Sequence, residues 1–333
     1  MAVMSAQPWI AAQAEQLLAQ RGHAWLLQGP SGLGQFTLAM DIVRAWLCER
    51  ATPQGACGSC ESCHQIDVHS HTDLCMLMPE TVMMELGWPL AEKAQSEIDD
   101  KKRKPSKEIR VEAMRDAIEF AQRTSGRGRG KAVLVYPAER MNHVTANALL
   151  KTLEEPAGDT RFVLATDAAH LLLPTIRSRC IAHTMAWPSD EEATAWLAAQ
   201  EVPRADIPAL LQAAGGRPED ALGFARAGGD PKMWASLPKA IARGDGGAIS
   251  GWHPAQAIDA LTKICHDLLA VKAGAQPRFF SPGDLPVPPT FQALNAWARE
   301  LMRAARTAEH PLNAGLMHES LVSQARQALN SKS

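Results

Sequence analysis

The segment 29–36, Gly-Pro-Ser-Gly-Leu-Gly-Gln-Phe, has the glycine spacing of a phosphate-binding loop. It follows the apolar run Ala24–Leu27, which is typical of a buried strand, and precedes the helical pattern Thr37–Leu47. Strand, loop and helix in this order are the context that the motif G-x-x-x-x-G-K-[ST] requires. The segment therefore predicts a nucleotide-binding α/β domain, with an ordinary glycine-rich turn as the alternative.

The loop keeps both of its defining glycines, Gly29 and Gly34, but not its ionic positions. In a working loop a lysine meets the phosphate oxygens and a serine or threonine hydroxyl holds Mg²⁺. Gln35 occupies the lysine position and Phe36 the hydroxyl position. Because a hydrogen bond to a charged group contributes about 1.5–3 kcal/mol, we expect no productive ATP binding here.

The strand that should complete a nucleotide site has also lost its charges. Lys131–Val135 is an apolar run of the right kind, but Tyr136 and Pro137 follow it where an acidic pair should hold Mg²⁺ and polarise the attacking water. The nearest carboxylate, Glu139, precedes a helical pattern at 142–155, and we interpret it as serving that helix's N-terminus. A nucleotide-binding fold that lacks both the loop lysine and hydroxyl and the acidic pair is predicted to have a function other than ATP hydrolysis.

Three further segments make a family resemblance specific. They are Asn-Ala-Leu-Leu-Lys-Thr-Leu-Glu-Glu-Pro at 147–156, Phe-Val-Leu-Ala-Thr at 162–166 and Pro-Thr-Ile-Arg-Ser-Arg-Cys at 174–180. In this order and spacing, and with the altered loop and a cysteine cluster, the chain resembles the delta-prime subunit family of the bacterial DNA polymerase III clamp loader, of the AAA+ class. The resemblance is close over roughly the first 190 residues and loose beyond them.

The resemblance implies an AAA+-type P-loop domain with a parallel sheet, then a small helical lid domain and an all-helical collar domain that oligomerises. It implies a non-hydrolysing subunit that works in DNA replication with gamma or tau ATPase subunits and a delta subunit, and with the sliding clamp and primer-template DNA through the assembled complex. It also implies that Arg179 reaches into a neighbouring subunit's ATP site, as an arginine finger acting in trans.

Arg179 has chemistry that suits this role. An arginine finger needs a planar, permanently charged fork that faces a neighbour's γ-phosphate. Arg177 and Arg179 lie two residues apart before the strand-like run Cys180–Thr184, so both could project to one face. The motif favours Arg179, and we interpret Arg177 as a surface or structural residue.

Four of the seven cysteines, Cys48, Cys57, Cys60 and Cys63, have the spacing C-x8-C-x2-C-x2-C. Such knuckles bring thiolates to one tetrahedral Zn²⁺, so we predict a closed structural zinc site within an insert at 48–64. A ferredoxin-type cluster would need another cysteine where Asp67 stands. His64 as a substitute ligand, or a redox C-x-x-C pair, is the weaker alternative.

The remaining cysteines and composition limit other possibilities. Cys75 and Cys265 lie in apolar segments typical of a core. The net charge of −2 gives no global nucleic-acid footprint, and no apolar run approaches the length of a membrane span. The start lacks a basic-then-apolar leader and the cysteine count is odd, so we expect a cytoplasmic protein without disulfides.

The chain of 333 residues is long enough for several domains. Ser189 and Glu192 form a capping-box pattern that opens a new helix. We predict an α/β domain at 1–186, a lid at 187–246 and a collar at 247–333. The collar should contain helices at 253–274, 289–307 and 311–329, with a proline-rich linker at 277–289 between the first two.

Three basic features have solvated or structural interpretations. The segment 81–106 includes the run Lys101–Lys104 and is expected to be a solvated loop, with a DNA or partner contact as the alternative. The glycine-rich segment 123–131 is likewise expected to be solvated. Arg217 occupies a region where AAA+ proteins carry a second phosphate-sensing arginine, but without a loop lysine we interpret it as structural.

Two other function classes remain open from the sequence. The chain is predicted to be a catalytically silent subunit of the DNA polymerase III holoenzyme. An autonomous AAA+ ATPase is the enzyme alternative, against which the lost lysine, hydroxyl and acids argue. A zinc-dependent DNA-binding module is the third, against which the near-neutral charge argues.

Overall fold

A five-stranded sheet is the centre of the first of two compact units, Met1–Glu192 and Ala193–Ser333. The structure is a computed structural model and describes residues 7–308 and 314–331. The strands are β1 Ala24–Gln28, β2 Leu74–Leu77, β3 Lys131–Val135, β4 Thr160–Thr166 and β5 Ile181–Thr184. They lie in the order β2-β3-β4-β1-β5, and every pair is parallel.

Parallel pairing requires crossover connections, which the first unit makes with helices. These are α1 Pro8–Leu18, α2 Gln35–Leu47, α3 Glu61–Asp67, α4 Glu80–Glu85, α5 Glu92–Asp99, α6 Val111–Gln122, α7 His143–Glu154 and α8 Pro174–Arg177. Strand β3 is buried along its whole length, as expected for a strand covered on both faces. The carboxyl ends of β1, β3 and β4 meet at one edge of the sheet, where α/β proteins of this kind place their ligand sites.

The second unit is helical. A helix at Asp190–Ala199, α9, begins in the first unit and is capped as predicted, since the Ser189 hydroxyl accepts from the Glu192 amide at 3.2 Å. The others are α10 Ile207–Ala213, α11 Pro218–Arg226, α12 Pro231–Arg243, α13 Pro254–Lys272, α14 Phe291–Thr307 and α15 Ala314–Leu329. Helices α12, α13, α14 and α15 share one apolar core, and Trp234, Leu261 and Trp297 are among its buried members.

The predicted collar helices are present with small differences at their ends. The first is Pro254–Lys272 and the second is Phe291–Thr307. Residues 311–313 of the third predicted helix lie outside the described residues, and the described helix begins at Ala314. The division of the chain into three domains at 186 and 246 stays a prediction. Within the described ranges, no helix is both long enough and apolar enough to cross a membrane.

A buried carboxylate organises the predicted proline-rich linker. Asp267 on α13 is fully buried, and its two oxygens accept from the backbone amides of Arg278, Phe279 and Phe280 at 2.9, 2.7 and 2.9 Å. The Arg278 guanidinium in turn donates to the carbonyl of Gly215. The start of the linker is therefore fixed by charge-assisted hydrogen bonds rather than free in solvent.

We predict that Asp267→Asn destabilises the second unit by about 2 kcal/mol or more, because the variant loses the buried charge to which three backbone amides donate. Thermal and urea unfolding followed by tryptophan fluorescence measure the effect. Asp259→Asn on the same helix is the matched control, since this carboxylate is 62 % exposed and pairs with Lys263, and it should change stability by less than about 0.5 kcal/mol. Equal stabilities for the two variants would contradict this account.

Candidate functional site: a closed nucleotide loop, a cysteine cluster and an arginine

The side chain at the lysine position of the loop is turned back onto the loop itself. Gln35, the first residue of α2, has only 3 % of its surface exposed. Its Nε2 donates to the carbonyl oxygens of Gly29 at 3.0 Å and Pro30 at 2.7 Å. Both hydrogens of the amide are therefore used within the loop, and the position offers no cation to a phosphate.

Helix α1 covers the glycine-rich turn, a feature that the sequence analysis missed. The Trp9 indole N–H donates to the carbonyl of Leu33 at 2.9 Å. Gly34 has φ +91°, and a Cβ there would lie 2.4 Å from Gln7 Oε1 and 2.9 Å from Ile10 Cδ1. The backbone of 32–35, whose amides would cradle phosphates in a working loop, is buried beneath the protein's own residues.

The two positions that should hold Mg²⁺ carry aromatic rings in contact. Phe36 stands at the hydroxyl position and Tyr136 follows β3, and their ring centroids are 5.0 Å apart with planes tilted by 39°. Such tilted pairs are a favourable aromatic geometry. An apolar contact therefore occupies the place of two metal ligands, as the absence of acids in the sequence indicated.

Glu139, which we interpreted as serving the N-terminus of α7, does not cap that helix. Asn142 caps α7 instead, because its side-chain oxygen accepts from the Thr145 amide at 3.0 Å. Glu139 lies in a single 3₁₀ turn and accepts the hydroxyl of Thr166, at the end of β4, at 2.6 Å. The Glu139 carboxylate and the Thr166 hydroxyl are thus engaged with each other.

The four predicted cysteines come together. The sulfur atoms of Cys48, Cys57, Cys60 and Cys63 all lie within 4.8 Å of one another. Cys48 and Cys60 are 3.8 Å apart and Cys60 and Cys63 are 3.5 Å apart. Four sulfurs at about 2.3 Å from a shared tetrahedral zinc would be about 3.8 Å apart, so the donor set and its spacing fit this metal. His64 is exposed on α3 and is not a member of the cluster.

The surroundings of the cluster favour thiolates at some positions and thiols at others. The amides of Arg50 and Cys57 donate to the Cys48 sulfur at 3.4 and 3.3 Å. A hydrogen bond from the backbone of Ser59 lowers the pKa of Cys57 to about 5, whereas burial raises the pKa of Cys63 to about 12. A bound divalent cation would hold all four as thiolates.

The glycine-rich segment 123–131 is largely exposed, as expected, but Asp73 fixes its residues 125–127. Asp73 is 1 % exposed and accepts from the Ser125 hydroxyl and from the amides of Gly126 and Arg127 at 2.8–2.9 Å. The Arg127 guanidinium extends to Glu49 beside the cysteine cluster at 2.9 Å. The segment therefore connects the edge of the sheet to the cysteine cluster.

The charged segment 81–106 is also folded, because a buried carboxylate pins its two ends together. Glu80 accepts both terminal nitrogens of Arg103, at 2.5 and 2.8 Å, and the amide of Ser106 at 2.7 Å. Arg103 also contacts Glu97 at 2.8 Å. Burial of Glu80 opposes its ionisation, but the bonds from Arg103 and Ser106 outweigh it and hold the carboxyl pKa below its usual value. Within the basic run Lys101–Lys104, Arg103 is therefore engaged in ion pairs with Glu80 and Glu97.

Arg179 lies between α8 and β5 and is held by its own chain. One terminal nitrogen donates to the carbonyl of Thr175 at 2.9 Å, and the other forms an ion pair with Glu154 at the end of α7. Arg177 is the exposed last residue of α8, and Arg179 follows it before β5 begins at Ile181. The Arg179 side chain is 28 % exposed.

The other singled-out residues have structural surroundings. Arg217 donates to the carbonyl of Ala214 and pairs with Asp220, both at 2.8 Å, in keeping with a structural role. Cys265 is buried in the core of the second unit, and Cys75 packs against the core of the first. Burial raises the pKa of Cys75 to about 12 and that of Cys265 to about 11, so both remain thiols near neutrality.

A parallel sheet with a closed P-loop, followed by a helical unit, defines a clamp-loader-like protein of the AAA+ class. The family model described as DNA polymerase III, delta subunit, matches residues 9–188, more than half of the chain. The chain belongs to this family.

Named relatives support the assignment. The chain is 37 % identical over 215 residues to DNA polymerase III subunit delta' of Pseudomonas aeruginosa, which covers 63 % of this chain and 58 % of the relative. It is 33 % identical over 221 residues to subunit delta' of Escherichia coli, covering 65 % and 59 %. The alignments thus span somewhat under three fifths of the curated relatives' lengths.

One solved structure has a similar fold. A DNA polymerase III gamma subunit-related protein from Thermotoga maritima aligns with a TM-score of 0.50 at 14 % identity, over 96 % of this chain and 99 % of that one. The AAA+ fold class predicted from the sequence is confirmed.

We predict that the isolated protein neither binds Mg·ATP measurably at millimolar concentration nor hydrolyses it. Gln35→Lys alone should not restore binding, because α1 still covers the turn and the Phe36–Tyr136 contact remains. Calorimetric titration of both proteins with Mg·ATP measures this, with a clamp-loader ATPase subunit as the positive control. Saturable binding at micromolar concentration by the unaltered chain would contradict the closed-loop interpretation.

Proposed function

We propose that this chain is a non-hydrolysing structural subunit of a bacterial clamp-loader complex, with a role in loading the sliding clamp onto primed DNA. The observation that carries the proposal is the closed loop, in which Gln35 is bonded to Gly29 and Pro30 and aromatic rings fill the metal positions. An ATPase fold whose own site is closed can still act through a neighbour's site. Membership of the family supports this role.

In this proposal Arg179 is the residue that acts in trans. Arginine fingers contribute because a fixed, delocalised cation neutralises charge that develops on the γ-phosphate of a neighbour. Arg179 remains 28 % exposed while its guanidinium is held at two points. Arg177 is exposed, and no side-chain hydrogen bond or ion pair holds it in the described part of the chain, so we assign it no role in catalysis.

The partners follow from the same proposal. Relatives of this chain include DNA polymerase III subunit tau of Salmonella typhimurium, 31 % identical over 159 residues, which cover 48 % of this chain and 21 % of the relative. We propose that gamma or tau ATPase subunits and a delta subunit are the direct partners. The net charge of −2 supports contact with primer-template DNA and the sliding clamp through the assembled complex rather than by this chain alone.

We further infer that the cysteine cluster holds one Zn²⁺ as a structural ion. Cys48, Cys57, Cys60 and Cys63 would supply four thiolates, which closes the coordination sphere and leaves no position for a substrate. When bound, the ion would tie the end of α2 to the start of α3. The cluster would then stabilise the insert without taking part in chemistry.

We predict one zinc and no iron per chain by elemental analysis. Cys60→Ser should lose the zinc and lower the melting temperature of the first unit by on the order of 5 °C, because the insert loses its cross-link. Cys75→Ala, a thiol outside the cluster, should keep the metal. Absorbance of an iron–sulfur cluster, or full thermal stability after the zinc is removed, would contradict the assignment.

We predict that Arg179→Ala leaves folding and assembly unchanged but lowers clamp- and DNA-stimulated ATP hydrolysis and clamp loading by roughly tenfold or more. Arg179→Lys should rescue poorly, since an ammonium cannot make the same forked contact. The measurement uses the reconstituted complex, with gel filtration to confirm assembly. Arg177→Ala is the matched control and should have a small effect; unchanged loading by Arg179→Ala would falsify the finger assignment.

A further inference from the structure

The contact between Glu154 and Arg179 has a consequence for how the arginine is presented. Glu154 is the last residue of α7, and one of its oxygens pairs with a terminal nitrogen of Arg179. The carbonyl of Thr175, on α8, accepts from the other terminal nitrogen at 2.9 Å. The guanidinium is therefore anchored by two different helices.

The two anchors leave a defined set of donors. A guanidinium carries five N–H groups, two on each terminal nitrogen and one on Nε. Glu154 and Thr175 use one hydrogen on each terminal nitrogen, and Nε is buried with no hydrogen-bond partner in the described part of the chain. One hydrogen on each terminal nitrogen remains for a ligand outside the chain.

The ion pair contributes little to the fold. The Glu154 side chain is 51 % exposed, and exposed pairs of this kind contribute about 0–1 kcal/mol to stability. A carboxylate in the last turn of a helix also opposes the helix dipole. Glu154 thus stands where a negative charge is unfavourable for α7 itself, and the benefit of the contact lies at Arg179.

A preorganised guanidinium is what a finger requires. A free arginine side chain carries about 2 kcal/mol of rotamer entropy, which must be lost before its donors reach a phosphate. Donors fixed beforehand at the place where charge develops stabilise a transition state without reorganisation. The Glu154 carboxylate and the Thr175 carbonyl fix the plane of the Arg179 guanidinium before any neighbour binds.

We propose that Glu154 is a positioning residue for Arg179, which orients the guanidinium toward the ATP site of the neighbouring subunit. The proposal rests on the proposed function of Arg179. The adjacent Glu155 provides a control, since it is also exposed and forms no ion pair among the described residues.

The test compares complexes reconstituted with gamma or tau subunits, delta, sliding clamp and primed DNA. Glu154→Ala should lower stimulated turnover at saturating ATP by about two- to fivefold with KM for ATP unchanged, a range that corresponds to the strength of an exposed pair. Glu154→Gln, which can still accept a hydrogen bond, should lose less. Glu155→Ala should match the unaltered complex.

Epistasis separates positioning from a structural effect. Glu154→Ala combined with Arg179→Ala should be no slower than Arg179→Ala alone, and the melting temperatures of the single variants should agree within about 2 °C. If the complex with Glu154→Ala is as fast as or faster than the unaltered complex, the positioning role is overturned. It is also overturned if the loss of activity in Glu154→Ala adds to the loss in Arg179→Ala. Neither result affects the assignment of Arg179 as a finger. An Arg179→Ala complex with full activity overturns the finger role of Arg179 on which this proposal rests and leaves a scaffold subunit.

Discussion

The bond between the Gln35 amide and the carbonyls of Gly29 and Pro30 is the interaction on which the interpretation of this chain depends. A phosphate loop with no phosphate must satisfy its backbone groups by other means. Gln35 satisfies two carbonyls, and the indole of Trp9 satisfies a third at Leu33. The loop is consequently a closed structural turn that joins β1 to α2, and its residues 32–35 are buried.

The same sheet also supports Arg179, which lies two residues before the start of β5. Strand β5 pairs with β1 through Trp25 opposite Ile181, so the residues just before β5 are positioned by the strand that follows directly after them in the sheet and its neighbour β1. Helices α7 and α8 then hold the Arg179 side chain through Glu154 and Thr175. In the proposed function, a rigid sheet with a closed loop thus holds the Arg179 side chain for use by a neighbouring subunit.

Features that depend on local spacing were predictable from the sequence, and those that depend on distant contacts were not. The strand–loop–helix order around Gly34, the cap at Ser189 and the cysteine cluster follow from short-range patterns. The ordering of 81–106 depends on Glu80 and Arg103, 23 residues apart, and that of 123–131 on contacts between Asp73 and residues 52–54 positions away. The pairing of Arg103 and Arg127 could not be predicted because their acidic partners lie elsewhere in the chain, whereas the lysines of the run 101–104 are exposed as expected.

The central claim is that this chain contacts nucleotide through Arg179, at a neighbouring subunit's ATP site, and not at its own loop. Hydrogen–deuterium exchange on the assembled complex, with and without a non-hydrolysable ATP analogue, tests it directly. The account predicts new protection in peptides that cover 175–180 and no change in those that cover 29–36. Protection of 29–36 by the analogue, with 175–180 unchanged, would contradict it.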